Sequence, residues 1–161
     1  MITKSVEATE RAPNRRATAL YGAAAFVALI GLADAIYLTI EHLTGQTVRC
    51  TVISGCSEVL SSPYATIHGY PLALLGAIAY FTVFSLATLA AFGYPLVGRL
   101  LLLVVTLMFL TTLWLLYLQA FVIHHFCQYC LLSALVTTTL AALVAIASRR
   151  AIGRPHVLTG D

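Results

Sequence analysis

The chain contains four cysteines, arranged as two close pairs: Cys50 with Cys56, and Cys127 with Cys130. Each pair can close a short disulfide, so each is a candidate dithiol/disulfide couple. The second pair is a CxxC, Cys127-Gln128-Tyr129-Cys130, at the mouth of an apolar run. Unpaired amides at a helix N-terminus favour a thiolate and lower its pKa, and the thiolate is the species that disulfide exchange requires. Gly55, just before Cys56, permits a tight turn in the first pair. A static structural disulfide is the competing reading of Cys50/Cys56. Two couples at one membrane depth would make a redox relay.

Metal binding is the alternative chemistry. His124 and His125 next to Cys127 and Cys130 are the ligand types that zinc or copper use. Their spacing is too compressed for a tetrahedral site from one segment, so His68 or the loop cysteines would have to join from across the mouth. A metal-binding or metal-transport protein would need free thiolates and would lose function with its histidines. A redox relay needs cycling disulfides and tolerates loss of the histidines. The two histidines also suit a membrane interface, where amphipathic rings sit well.

The elements that carry these residues are membrane spans. With 161 residues, 60% apolar and 9% charged, and a mean hydropathy of +0.93, the chain is too apolar for a soluble domain of this size. A spanning helix needs about 20 apolar residues to cross about 30 Å of hydrocarbon. Four runs qualify, at about 18–40, 71–92, 100–123 and 126–147, giving an all-α four-transmembrane-helix bundle. The first run is too long for a signal core and has no convincing small-x-small cleavage site after it. The membrane domain is placed at 17–150, with polar tails at 1–16 and 151–161. Of nine Lys and Arg residues, only Arg49 lies on the face opposite both termini; Lys4, Arg11, Arg15, Arg16, Arg99, Arg149, Arg150 and Arg154 share the other. The positive-inside rule makes that richer face cytoplasmic. Both cysteine pairs are then extracytoplasmic, where disulfides persist.

The loop at 43–70 is the only connection long enough for structure of its own. Val59, Leu60, Tyr64 and Ile67 give it an apolar face, so it reads as a lid with a short helix that Ser57 caps and Pro63 ends or bends. Leu60 stands where a full capping box has Glu or Gln. Asp34 is the only acid near mid-membrane, a default functional candidate, and equally a group that faces the wet mouth. Tyr37 and Tyr80 are candidate donors to a bound carbonyl. Trp114, Phe109 and Tyr117 read as bundle packing. Arg49 and Glu58 flank the loop cysteines as an exposed charge pair, from which Arg49 would favour a thiolate at Cys50.

The stretch from Cys50-Thr51-Val52-Ile53-Ser54-Gly55-Cys56 through Ser57-Glu58-Val59-Leu60-Ser61-Ser62-Pro63-Tyr64, then Gly69, Pro71-Leu72-Ala73-Leu74-Leu75-Gly76 and Cys127-Gln128-Tyr129-Cys130-Leu131, resembles the vitamin K epoxide reductase family, especially its bacterial branch. The disulfide bond formation protein B family also has four spans, but its CxxC lies in the first outer loop. The resemblance implies a four-helix bundle around a quinone, ubiquinone or menaquinone, beneath the loop. It implies that Cys130 touches the quinone and that Cys127 exchanges with a loop cysteine. Cys50 and Cys56 would collect electrons from a thioredoxin-like (DsbA-like) partner, to drive disulfide bond formation. Ser62 matches a serine or threonine that the family keeps in this loop.

Two positions depart from the family pattern. Leu72 and Ala134 stand where vertebrate members carry an asparagine and a tyrosine that hydrogen-bond the vitamin K head group, so epoxide reduction is not implied. Some bacterial members carry a fused thioredoxin-like domain after the last span. This chain ends near that point, so the expected partner is a separate extracytoplasmic protein. A bacterial cytoplasmic membrane is the location that the resemblance implies, in keeping with the lack of a retrieval signal in Leu158-Thr159-Gly160-Asp161.

Overall fold

A computed structural model describes residues 15–45 and 55–152 of the chain. Four long helices dominate: α1 (Arg15–Leu43), α3 (Leu72–Ala91), α4 (Pro95–Leu118) and α5 (Gln128–Ile152), with a short α2 (Cys56–Leu60) between the first two. Four segments are long and apolar enough to cross a membrane. Pro95 opens α4 several residues ahead of the expected start, because proline is at home in the first helical turn, where its missing N–H is not needed. The turn before it is correspondingly short, with Gly93 at φ +97 donating to the Ala90 carbonyl at 3.1 Å.

α1 packs against α3 and α5, and α4 closes the ring by packing against the same two helices. The alternating direction of the spans puts Arg15, Arg16, Arg99, Arg149 and Arg150 at the end of the bundle opposite Cys56 and Cys127. Ala24, Ala28, Gly31 and Ala35 recur at helical spacing along α1 and are buried. Small residues let helix backbones approach closely, and that is a main source of association where apolar side chains gain nothing over lipid. Phe26, Phe81 and Leu103 point outward instead. Trp114 and Tyr117, expected with the half-buried Phe109 to pack inside the bundle, correct that expectation together with Phe121. Trp114, Tyr117 and Phe121 are at least half exposed and form an aromatic run along one outward face, with ring centroids 5.8 and 5.0 Å apart, rather than filling the bundle.

The lid differs in detail from the expected one. α2 begins at Cys56 with Gly55 as its cap residue; Ser57 lies inside the helix and donates to Glu58 Oε2 at 2.9 Å. Pro63 starts a 3-10 turn, Pro63–Ala65. A two-residue ladder follows, β1 (Thr66–Ile67) antiparallel to β2 (Tyr70–Pro71). His68 and Gly69 between them have φ of +50 and +85, the double positive φ that two-residue hairpins favour.

Tyr80 ties the bundle together. It is 2% exposed, and its hydroxyl bonds across to α5, with Ser133 Oγ at 2.8 Å, Thr137 Oγ1 at 2.9 Å and the Ser133 carbonyl at 3.1 Å. Its ring lies directly over Gly31, leaving no room for a Cβ there. Gly31→Val should therefore push Tyr80 from its partners and destabilise the bundle by about 1–3 kcal/mol, the usual cost of overpacking. Thermal unfolding in detergent checks this: the variant should melt several degrees below the parent.

Candidate functional site

Cys56 and Cys127 meet in one small buried cluster. Cys56 is 1% and Cys127 0% exposed, and they pack with Leu38 of α1 and Val59 of α2. The backbone explains the meeting. Gly55 has φ +143, and a Cβ there would lie 2.9 Å from the Phe126 carbonyl oxygen. Only glycine combines that conformation with that approach, so the chain entering α2 rests on the chain entering α5. Cys56 is held in a disulfide, whereas Cys127 and Cys130 are free thiols. Cys50 and Arg49 lie outside the described residues.

The connection between α4 and α5 aims the CxxC. α4 ends in a π turn, Gln119–Ile123, followed by His124 in a left-handed conformation. Gln119, 3% exposed, is turned inward, and its Oε1 accepts the Cys127 N–H at 3.1 Å. The same side chain is within hydrogen-bonding reach of Cys130. Sequence reasoning passed over Gln119. The available signal was a lone amide near the end of an apolar span, where an unpaired polar group is costly.

Cys127 precedes the first turn of α5, and its thiol is lowered from 9.0 to about 7. The largest cause is a hydrogen bond from the Cys130 side chain, opposed by burial and helped by the Cys130 and Tyr129 backbone amides. The partner thiol therefore dominates, and the helix-start amides expected from the motif add to it. Glu58 on α2 is exposed; its carboxyl is held below the usual range by its own backbone amide first and by Ser57 second.

Cys130 opens onto a cavity of about 520 Å³ among α1, α3, α4, α5 and the lid. Much of its wall is apolar, with Leu38, Val104, Leu107 and Met108 among the lining residues. Polar groups also reach it: Asp34, Ser62, Tyr80 and Gln119. Ser62 donates to the Val59 carbonyl at 2.7 Å, which fastens the end of α2 over the cavity. Leu72 and Ala134, the two departures from the family pattern, both line it. Tyr37 lies outside the lining, with its ring 5.3 Å from that of Tyr129. His124 and His125 are exposed, and among the described residues no group of three His, Cys, Asp or Glu side chains is placed to hold a metal.

These features define a multi-pass membrane protein with a CxxC dithiol set between a disulfide-bearing lid and an apolar cavity. Residues 23–145 match the Vitamin K epoxide reductase family, and the chain belongs to that family. A stretch of 55 residues is also 38% identical to the thiol-disulfide oxidoreductase LTO1 of Arabidopsis thaliana; it covers 34% of this chain and 15% of that protein.

The lowered Cys127 thiol predicts a pH profile. Alkylation of reduced protein at Cys127 should rise through a midpoint near pH 7, because the thiolate is the reactive form. Cys130→Ala removes the main stabilising donor, so the midpoint should move up towards the ordinary thiol value. Rates measured by mass spectrometry across pH check both statements.

A second prediction concerns Gly55. Gly55→Ala should drive α2 off the Phe126 backbone and separate Cys56 from Cys127. Trapping of a Cys56–Cys127 mixed disulfide in a Cys50→Ser/Cys130→Ser background should fall severalfold, and trapping at the parent level would refute the contact.

Proposed function

We propose that the protein is a quinone-dependent thiol oxidoreductase that reoxidises a separate thioredoxin-like protein. The observation that carries this reading is the division of the CxxC, with Cys127 buried beside Cys56 and Cys130 facing the cavity. Family membership and the likeness to a thiol-disulfide oxidoreductase support the same chemistry.

Cys50 pairs with Cys56 in this reading, and the pair receives electrons from the partner dithiol. One of its thiolates attacks Cys127 in the oxidised CxxC, and the resulting mixed disulfide is resolved by the second loop cysteine. The CxxC is left reduced and the loop pair oxidised. Cys130 then delivers the electrons into the cavity while the Cys127–Cys130 disulfide re-forms. A bound quinone would supply the two-electron, two-proton acceptor. The cavity fits such a group: its apolar wall suits a prenylated ring, and its few polar side chains stand near Cys130. Leu72 and Ala134 offer no hydrogen bond, so ring oxygens would be met by other groups. Tyr64 and Tyr80 both line the cavity; in this reading Tyr80, whose hydroxyl also has partners on α5, would meet one of those oxygens.

For net oxidation of a partner near −120 mV, the acceptor must lie above it, and each 30 mV corresponds to about 1.4 kcal/mol for two electrons. The cysteine-bearing end is assigned to the extracytoplasmic side from the basic residues gathered at the other end, and a bacterial cytoplasmic membrane from the family resemblance alone.

The test is quinone absorbance followed in detergent while a reduced thioredoxin-like dithiol protein is added. The parent should reduce ubiquinone or menaquinone, and Cys127→Ala and Cys130→Ala should each abolish turnover. Retained turnover in either variant would sink the assigned relay.

A further inference from the structure

The relay described above leaves one half-buried ionisable group in the bundle without a task. Asp34 sits on α1 one turn before Leu38, which packs against Cys56 and Cys127. It lines the same cavity as Cys130 and Tyr80, and among the described residues no other Asp or Glu does. Its Oδ2 is fully buried and has no hydrogen-bond partner among the described residues. A carboxylate oxygen in an apolar wall is costly unless something pairs with it. Among the described residues no Lys or Arg lines the cavity. The titratable groups that do are Cys130 from α5, Tyr80 from α3, Tyr64 from the lid and His42 further along α1, and Cys127 is within electrostatic reach of Asp34.

Cys130 needs a proton acceptor. Its thiol serves as the donor that stabilises the Cys127 thiolate, so in the reduced CxxC it is Cys130 that carries the proton. A thiol is a poor electron donor until that proton leaves, and among the described residues the cavity lining has one carboxylate to take it.

We propose that Asp34 is the proton acceptor for Cys130 and returns that proton to the reduced electron acceptor in the cavity. The inference rests on the quinone reading above. The Cys130 S–H bond breaks and, through a bridging water in the cavity, an O–H bond forms on the Asp34 carboxylate. The two cysteine sulfurs lose two electrons as their disulfide closes, and the quinone gains those two electrons. Asp34 passes its proton to one ring oxygen. The second ring oxygen takes a proton from water, matching the one that the Cys127 thiol has released. Asp34 begins and ends the cycle as a carboxylate.

Full-length protein in detergent, with Asp34→Asn and Asp34→Glu alongside, provides the test. Quinone reduction by a reduced thioredoxin-like donor is recorded across pH, and alkylation of the reduced CxxC is recorded in the absence of quinone. Asp34→Asn should slow quinone reduction by about a hundredfold, the range of a lost general base, and should erase the fall in rate at low pH. Asp34→Glu should keep that fall. Alkylation of Cys127 should instead become faster in Asp34→Asn, because the negative charge that opposes its thiolate is gone. Opposite signs in the two readouts separate proton transfer from a structural defect. Should the Asn variant not fold, Asp34→Ala with added formate takes its place. Restored turnover supports the role, and absent restoration in a folded variant overturns it. An Asn variant with the parent's rate and pH profile would overturn the proposal and leave the quinone reading standing. A parent protein that reduces no quinone would overturn that reading, and this inference with it.

Discussion

The site depends on a side chain that is missing. At residue 55 a Cβ would meet the Phe126 carbonyl oxygen at 2.9 Å, so two backbones touch where any other residue would hold them apart. The helix of the lid starts immediately after this contact, which puts Cys56 in its first position and Val59 on the same buried side. Cys127 follows Phe126 directly, so the same contact fixes it from the other direction. Thiol–disulfide exchange requires one sulfur to reach another through a mixed disulfide. A lid displaced by even a side chain's width would place Cys56 out of reach while leaving the bundle intact.

The bundle is built to support that contact and also to remain hollow. In a bilayer, large apolar side chains gain little by turning inward, and small residues with a few polar bridges do the associating. α1 follows this rule with its alanine and glycine stripe, and Tyr80 supplies the bridge to α5. The cavity is the other side of the same economy. Ala35, Gly76, Ala79 and Ala134 border it, while Phe26, Phe81 and Trp114 face outward. Small residues therefore bring the helices together at one depth and leave space for a ligand at another.

The spans and the place of the CxxC were legible in the sequence for plain reasons. A run of about 20 apolar residues has few folds open to it, and a CxxC at the start of such a run lies at a helix mouth. The lid helix was legible too, although its cap was misplaced: Ser57 has the side chain of a cap, but the approach to Phe126 selects Gly55, and nothing local in the sequence announces a contact with residues seventy positions away. Gln119 was illegible for a related reason. Its importance comes from a π turn that rotates it inward, and hydropathy does not encode that extra residue. The two tyrosines differ only in facing, which is a property of the packed bundle: Tyr80 points inward over Gly31, and Tyr37 rests on Tyr129 outside the cavity lining.

The two sides of the CxxC have different surroundings, and the proposed chemistry accounts for the difference. Exchange between the lid and Cys127 passes a thiolate from one sulfur to the next, so charge is conserved and no group needs to accept a proton. Cys56 and Cys127 pack against the apolar side chains of Leu38 and Val59. Electron transfer from Cys130 into the cavity is of another kind, because protons must change owners as the electrons move. A low-dielectric wall resists any charge left behind by that step. Asp34, Tyr80 and Gln119 line the cavity together with Cys130, and Gln119 meets Cys127 only at its backbone N–H. A structural dithiol would have no use for that asymmetry, whereas a relay that changes from sulfur chemistry to quinone chemistry between Cys127 and Cys130 requires it.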